Sequence, residues 1–527
     1  MGSDKLARNL NRLLLFLWGG MMAFALILNI LKSHFDYIYT YYHPIDTLLP
    51  HPVLMLLGGL GLMIIFLILS KIWDDHPSAI SHSTLKRYPF LIVTFSLFCL
   101  QILFIYNYFF ETDWDVQILL DTARQIAYGG DRNMFSWYYS MCPNNLLLTQ
   151  IFSVILFIAK PLHLGSQDLF AIIFVQCVWC MMAAIMLYQL CIKLWKAQAI
   201  AVFAYVTYWL LVGLSPWMSI TYSDVWALPF PILLLWLCFC MDWKGKVWLK
   251  WFIITFVAWF GFKIKPQVCF VLVAILLVEG ISYWKNSPRG HDLKVLITNY
   301  IVPLSLGLLL GFGTTFIAVK SIHISVVKSQ AMGAPHYLMM GLNKNHIGSY
   351  NDPDVVFSYN FPSKSERAKA NLKETQRRVR EMGVGGFAKL MCEKTLVNYY
   401  DGTFCWGWEG AMFYKVVFPL KNNHLSPFLR NIFYNRDYRG KYFSQWFTFV
   451  TALWLGVLLL AFFSLFAKWD KSLKMIAITL LLLTLYESLF EARSRYFFAF
   501  VPLYLLMASQ GANVLALWLK KLMKKPR

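Results

Sequence analysis

Apolar residues in this chain come in long runs. Leu13–Ile30, Pro52–Leu69, Phe90–Phe110, Phe170–Leu190 and Ile301–Val319 are the clearest. Each reaches or approaches the ~20 residues that an α-helix needs to cross hydrocarbon at 1.5 Å per residue. The pattern predicts an all-α polytopic membrane protein. Its spans fall at roughly 12–31, 51–71, 88–110, 168–192, 197–215, 225–241, 249–262, 267–284, 297–319, 444–467, 474–489 and 495–518, about twelve in all. No long polar block precedes or follows them, so one membrane domain carries one large inserted loop. The chain divides into two extra N-terminal spans (1–87), a core (88–319) with a first outer loop (111–167), an outer loop or subdomain (320–443) and C-terminal spans (444–527).

Composition agrees: 58% of the residues are hydrophobic, 17% aromatic and 14% charged, where a soluble chain has about a quarter charged. Lys5, Arg8 and Arg12 precede an apolar stretch too long for a signal peptide, and no small-x-small cleavage site follows. The first run therefore reads as an uncleaved span. Leu6 stands where myristoylation needs Ser or Thr. Most of the ten cysteines fall inside spans, and Cys177-x-x-Cys180 reads as helix packing rather than metal binding. Cys142, Cys392 and Cys405 fall in outer segments, with no pairing indicated.

Lys and Arg set the direction. Cytoplasmic termini leave Lys71/Lys86/Arg87, Lys193/Lys196, Lys244/Lys246/Lys250, Lys285/Arg289/Lys294 and Lys468/Lys471/Lys474 inside, with a basic tail from Lys520 to Arg527. This holds only if the short apolar stretch Leu146–Ala159 does not cross. Part of the net charge of +21 lies in the outer loop. There Pro362 and Ser363-x-x-Glu366 start a helix, Ser363–Met382. Its basic run, Lys364 to Arg380, is either a solvated face or a contact for anionic headgroups or an anionic polymer. Nucleic acid is excluded as a partner outside a membrane.

Ionisable groups at span ends are costly and mark sites. Four clusters share the outer face. Glu111-Thr-Asp113-Trp-Asp115 closes the third span. An amphipathic helix follows, with Val116, Leu119, Leu120, Ala123 and Ala127 on one stripe and Gln117, Asp121 and Arg124 on the other. Ser219-Ile-Thr-Tyr-Ser-Asp224 opens a later span. Gly261-Phe-Lys263-Ile-Lys265-Pro266 joins two apolar segments. Glu487-Ser-Leu-Phe-Glu491-Ala-Arg493-Ser-Arg495-Tyr496 lies between the last two spans. A carboxylate can act as general base for a hydroxyl, and Arg or Lys can hold a departing phosphate. The clusters point to group transfer from a phosphate-linked lipid at the outer surface.

Asp115, Ala123 eight residues on and Gly129 six further resemble the first outer loop of the C-type (GT-C) membrane glycosyltransferases. The resemblance is to the bacterial aminoarabinose transferases and protein mannosyltransferases of glycosyltransferase family 39. It covers 88–290 and, locally, 487–505. Tyr138-Tyr139, Pro143-Asn144-Asn145 and the stretch 146–159 look like that family's juxtamembrane helices. Asp224 matches a second acidic residue, Lys263 or Lys265 a later Lys, and Glu491-x-Arg493-x-Arg495-Tyr496 a late outer motif. Two spans precede the matching one, and Ile118 stands where aminoarabinose transferases often have Arg, leaving Arg124, Arg493 or Arg495 to supply that contact.

The resemblance implies a GT-C-like bundle and an inverting glycosyltransferase. Its donor would be a polyprenyl-phosphate-linked sugar, and its acceptor a cell-envelope glycan, teichoic acid or lipid. Asp115 is then the general base, with Asp113 or Asp224 positioning the acceptor, and Lys263, Lys265, Arg493, Arg495 and Arg124 bind the donor phosphate. Glu111, Asn144, Asn145, Tyr496, Trp406 and Trp408 are the candidate acceptor and sugar contacts. The aromatic and acidic stretch Asn398–Glu409 either stacks on sugars or packs the loop onto the membrane. No cofactor and no metal site is indicated. The rival readings are a same-fold ligase or polymerase that transfers a lipid-linked polymer, and a lipid-linked sugar flippase or transporter.

Overall fold

The computed structural model describes residues 2–32, 50–75, 87–286, 293–406, 409, 422–434 and 440–523. The described residues form helices and no β-strand. Every one of the twelve predicted spans falls on helical chain. Nine of them, with Pro143–Leu162, make ten helices long and apolar enough to cross a membrane by length and composition. Pro52–Ile68, Gln198–Gly213 and Ser223–Phe239 are apolar but shorter. Pro143–Leu162, expected not to cross, meets the same length and hydropathy criterion. It packs chiefly along the helix Asp115–Tyr128, and Phe157, Ile158 and Leu162 are exposed on its other side.

At the centre lies the helix Phe443–Phe463, against Val501–Met523 and Pro52–Asp75. Where these helices cross, backbone touches backbone. A Cβ on Gly59 would lie 2.0 Å from the Ala452 carbonyl oxygen, and one on Gly511 would lie 1.8 Å from that of Leu460. Close approach at small residues is how helices gain packing energy where lipid offers no hydrophobic drive.

The segment between Lys320 and Phe443 holds a packed group of helices. Ser363 caps its long helix as the capping box requires: its hydroxyl accepts the Glu366 N–H at 3.1 Å. The first arm ends at Gly383, whose φ of 60° turns the chain into a second arm that reaches Tyr399. Arg367 donates to the carbonyls of Ser329, Ala331, Ser358 and Phe361. Arg378 holds Asp354 through both terminal nitrogens, at 2.6 and 2.9 Å. Two cations of the basic run are therefore internal ties. The Arg377 guanidinium pairs with Glu374 and Glu381.

Beyond the second arm the chain re-enters the bundle. The Tyr399 hydroxyl meets those of Thr484 and Tyr504. Its carbonyl accepts the Trp454 indole N–H, halfway along Phe443–Phe463. Buried Asp401 closes the turn by accepting from Thr403 and Cys405 backbone N–H groups. The Asn398–Trp406 stretch is thus core packing between spans, beside the site described next.

Candidate functional site

Trp114 is extended, and Asp115 opens the helix Asp115–Tyr128, which Gly129 ends at φ 89°. The expected stripe of Val116, Leu119, Leu120, Ala123 and Ala127 is the buried face. Burying that face lays the helix down and fixes where its first carboxylate points. Arg124, on the other stripe, clamps Asp168 at the head of the helix Leu169–Trp195 through nitrogens at 2.5 and 3.0 Å. It also holds Glu111 at 2.6 Å and Asp121 at 3.4 Å.

Asp115 accepts the Tyr222 hydroxyl at 2.9 Å, and the Tyr138 hydroxyl lies near enough to favour its ionised form. Asn145 is buried and donates to the Tyr138 oxygen at 2.5 Å, so the two tyrosines reach Asp115 from opposite segments. Burial pushes the Asp115 carboxyl above the ordinary carboxylate range. The two hydroxyls and Arg495 oppose this, and Glu491 adds to it.

Beside Asp115 lies a buried ion cluster. Lys265, at the end of the helix Val247–Ile264, meets Asp224 Oδ1 at 2.5 Å, with the two side chains 5% and 2% exposed. Arg495 Nε lies 3.5 Å from the other Asp224 oxygen. Glu409 bridges Arg493 at 2.5 Å and Arg495 at 2.9 Å, one oxygen to each. Arg493 Nε is 3.4 Å from Glu491. The Arg495 guanidinium lies 4.8 Å over the Trp114 ring, and Lys265 lies 4.4 Å over Tyr496. Each of these buried cations has a carboxylate beside it, as burial at this depth demands.

The structure thus brings together Asp115, Asp224, Lys265, Arg493, Arg495 and Tyr496. It places the other candidates elsewhere. Asp113 is exposed at the rim. Lys263 is half-buried, two residues before Lys265, and has no ion partner among the described residues. Arg124 is held by three carboxylates, one of them Glu111, which ties both into a helix clamp rather than a ligand site. Asn144 donates to Asn145, which itself serves Tyr138. Trp406 is 1% exposed, edge-on to Trp217, and bonds the Phe433 carbonyl at 2.8 Å, so its ring has no free face for a sugar. Trp408 lies outside the described residues. All ten cysteines are free thiols.

Sequence reasoning missed Glu409, Glu491, Tyr138 and Tyr222 as parts of this site. Glu491 and Tyr222 stood inside the quoted clusters. Glu409 closed the aromatic stretch, but nothing in the sequence said that the stretch returns to the bundle. Among the described residues no group of three or more His, Cys, Asp or Glu could hold a metal.

No curated protein and no solved structure matches the chain. A family of integral membrane proteins matches residues 6–514, nearly the whole length and every element that builds the site. The chain is a multi-pass membrane protein, and it belongs to the family described as conserved hypothetical integral membrane protein.

Proposed function

We propose that this protein is an inverting glycosyltransferase that moves a sugar from a polyprenyl-phosphate-linked donor to a hydroxyl of a cell-envelope acceptor, at the extracytoplasmic membrane face. One observation carries the reading: Asp115, which accepts the Tyr222 hydroxyl, opens a surface-type helix beside a buried cluster of Lys265, Arg493 and Arg495. Asp115 takes the proton of the acceptor hydroxyl. The freed oxygen attacks the anomeric carbon, and the bond from that carbon to the phosphate oxygen breaks on the opposite face. The electron pair leaves with the polyprenyl phosphate, whose growing charge meets the guanidinium groups of Arg493 and Arg495. Asp224 and Glu409 hold these cations in place, and Asp224 is a counter-ion rather than an acceptor contact.

A same-fold ligase or polymerase would use the basic helix to hold an anionic polymer; of that run, Arg367 and Arg378 are internal ties and Arg377 is paired with Glu374 and Glu381.

The chemistry is tested with Asp115→Asn in proteoliposomes. Mass spectrometry of envelope glycans from a deletion strain first names sugar and acceptor, and transfer from the matching donor is then measured. Turnover is expected to fall by at least about 100-fold, the low end for loss of a general base. Near-normal turnover would sink the assignment. The exposed position Asp113, changed to Cys, is expected to label from the outside with a membrane-impermeant thiol reagent; labelling from the inside alone would reverse the topology.

A further inference from the structure

The outer loop is stitched to both sides of the site. On one side the Met332 N–H donates to the Met141 carbonyl at 3.0 Å. Met141 ends the helix that carries Tyr138, whose hydroxyl lies close to Asp115. On the other side the Ala492 N–H donates to the Gly348 carbonyl at 3.0 Å, between Glu491 and Arg493. Gly341 seals the same seam: a Cβ there would lie 2.4 Å from the Phe490 carbonyl. Lys394 donates to the Gly341 and Phe490 carbonyls together.

Tyr337 lies between the stitches and Tyr350 just past the second. Tyr337 lies within electrostatic reach of Cys142, Glu491 and Asp115. Tyr350 follows Gly348, the residue bonded to Ala492, by two positions and lies within electrostatic reach of Asp115 and Glu491. Its hydroxyl is fixed by Asp352 at 2.9 Å and its ring is 51% exposed. Asp115 and Glu491 lie close enough for their charges to interact.

A half-exposed tyrosine ring whose hydroxyl is pinned, next to carboxylates with spare lone pairs, suits a hydroxyl-bearing ring. The face packs on C–H groups and the carboxylate accepts from hydroxyls. We infer that Tyr350 and Glu491, with Tyr337 behind them, form a carbohydrate-binding subsite that the outer loop completes, placing an acceptor sugar next to Asp115. This rests on the transferase reading for its purpose. The binding itself does not need turnover.

Saturation-transfer NMR on the full chain in nanodiscs tests it, with methyl glycosides of glucose, galactose, mannose and N-acetylglucosamine as probes. At least one glycoside is expected to receive saturation in the wild type. Tyr350→Ala and Glu491→Gln are each expected to weaken it by about ten-fold, the scale of one aromatic-face or charged hydrogen-bond contact. Tyr350→Phe, which keeps the ring, is expected to bind as the wild type does. Its thermal midpoint, read beside those of the other variants, separates loss of contact from loss of fold. The subsite is overturned if no glycoside is saturated, or if a folded Tyr350→Ala binds normally. Failure of Asp115→Asn to slow transfer would instead strike the reaction and leave this binding result standing.

Discussion

Lys265→Met is the substitution that separates a structural cation from a ligand-binding one. It leaves Asp224, 2% exposed, without the ammonium that now sits at 2.5 Å. Breaking one side of a buried pair costs about 3–5 kcal/mol, because the remaining charge is stranded in low dielectric. Arg495, 3.5 Å from the other oxygen, compensates part of that charge and puts the expectation at the low end, about 3 kcal/mol. At about 2.1 cal/mol/K of unfolding entropy per residue, a chain of 527 residues converts this to a midpoint about 3 °C lower. The assay is thermal unfolding in detergent with a thiol-reactive fluorophore, because Cys177, Cys180, Cys191 and Cys405 are buried and become reactive as the bundle opens. Adding Asp224→Asn removes the stranded charge and is expected to recover most of the loss, to within about 1 kcal/mol of wild type. A double variant no more stable than Lys265→Met would refute the ion-pair reasoning. An unchanged midpoint in the single variant would mark Lys265 as a cation held for a ligand alone.

Two further outcomes follow from titrating groups. Tyr222→Phe removes a 2.9 Å bond that favours ionised Asp115, worth about 1.5–3 kcal/mol. The acidic limb of the pH–rate profile is then expected to move up by about 1–2 pH units, and an unmoved limb would show that Asp115 does not set it. Burial pulls His336 down from 6.5 to about 4, while its Nδ1 meets the Ser358 hydroxyl at 2.7 Å. A folded pKa below the unfolded one means that the unfolded chain binds the proton first. Stability is then full above about pH 7 and falls as pH drops toward 4, by at most about 3 kcal/mol. His336→Gln is expected to flatten midpoint against pH over that window; an equal slope in both proteins would assign it to other groups.

The sequence by itself determined the membrane class and the location of the helices, because an apolar run long enough to cross hydrocarbon needs no tertiary information to be recognised. It also determined the amphipathic face of Asp115–Tyr128 and the cap at Ser363, since helix periodicity and capping are local. What it could not determine was partnership. Asp224 and Lys265 are 41 residues apart and Glu409 and Arg495 are 86 apart, and no local rule pairs them. For Trp406 and the residues from Asn398 onward, the sequence left open stacking on sugars or packing of the loop onto the membrane. Their burial depends on the second arm of the outer helix turning at Gly383 and running back between spans. Arg124, a candidate for the donor phosphate, is claimed by Asp168 at the head of Leu169–Trp195, 44 residues on. Tertiary structure decided each of these, because a buried charge is tolerable only where another segment brings its counter-charge.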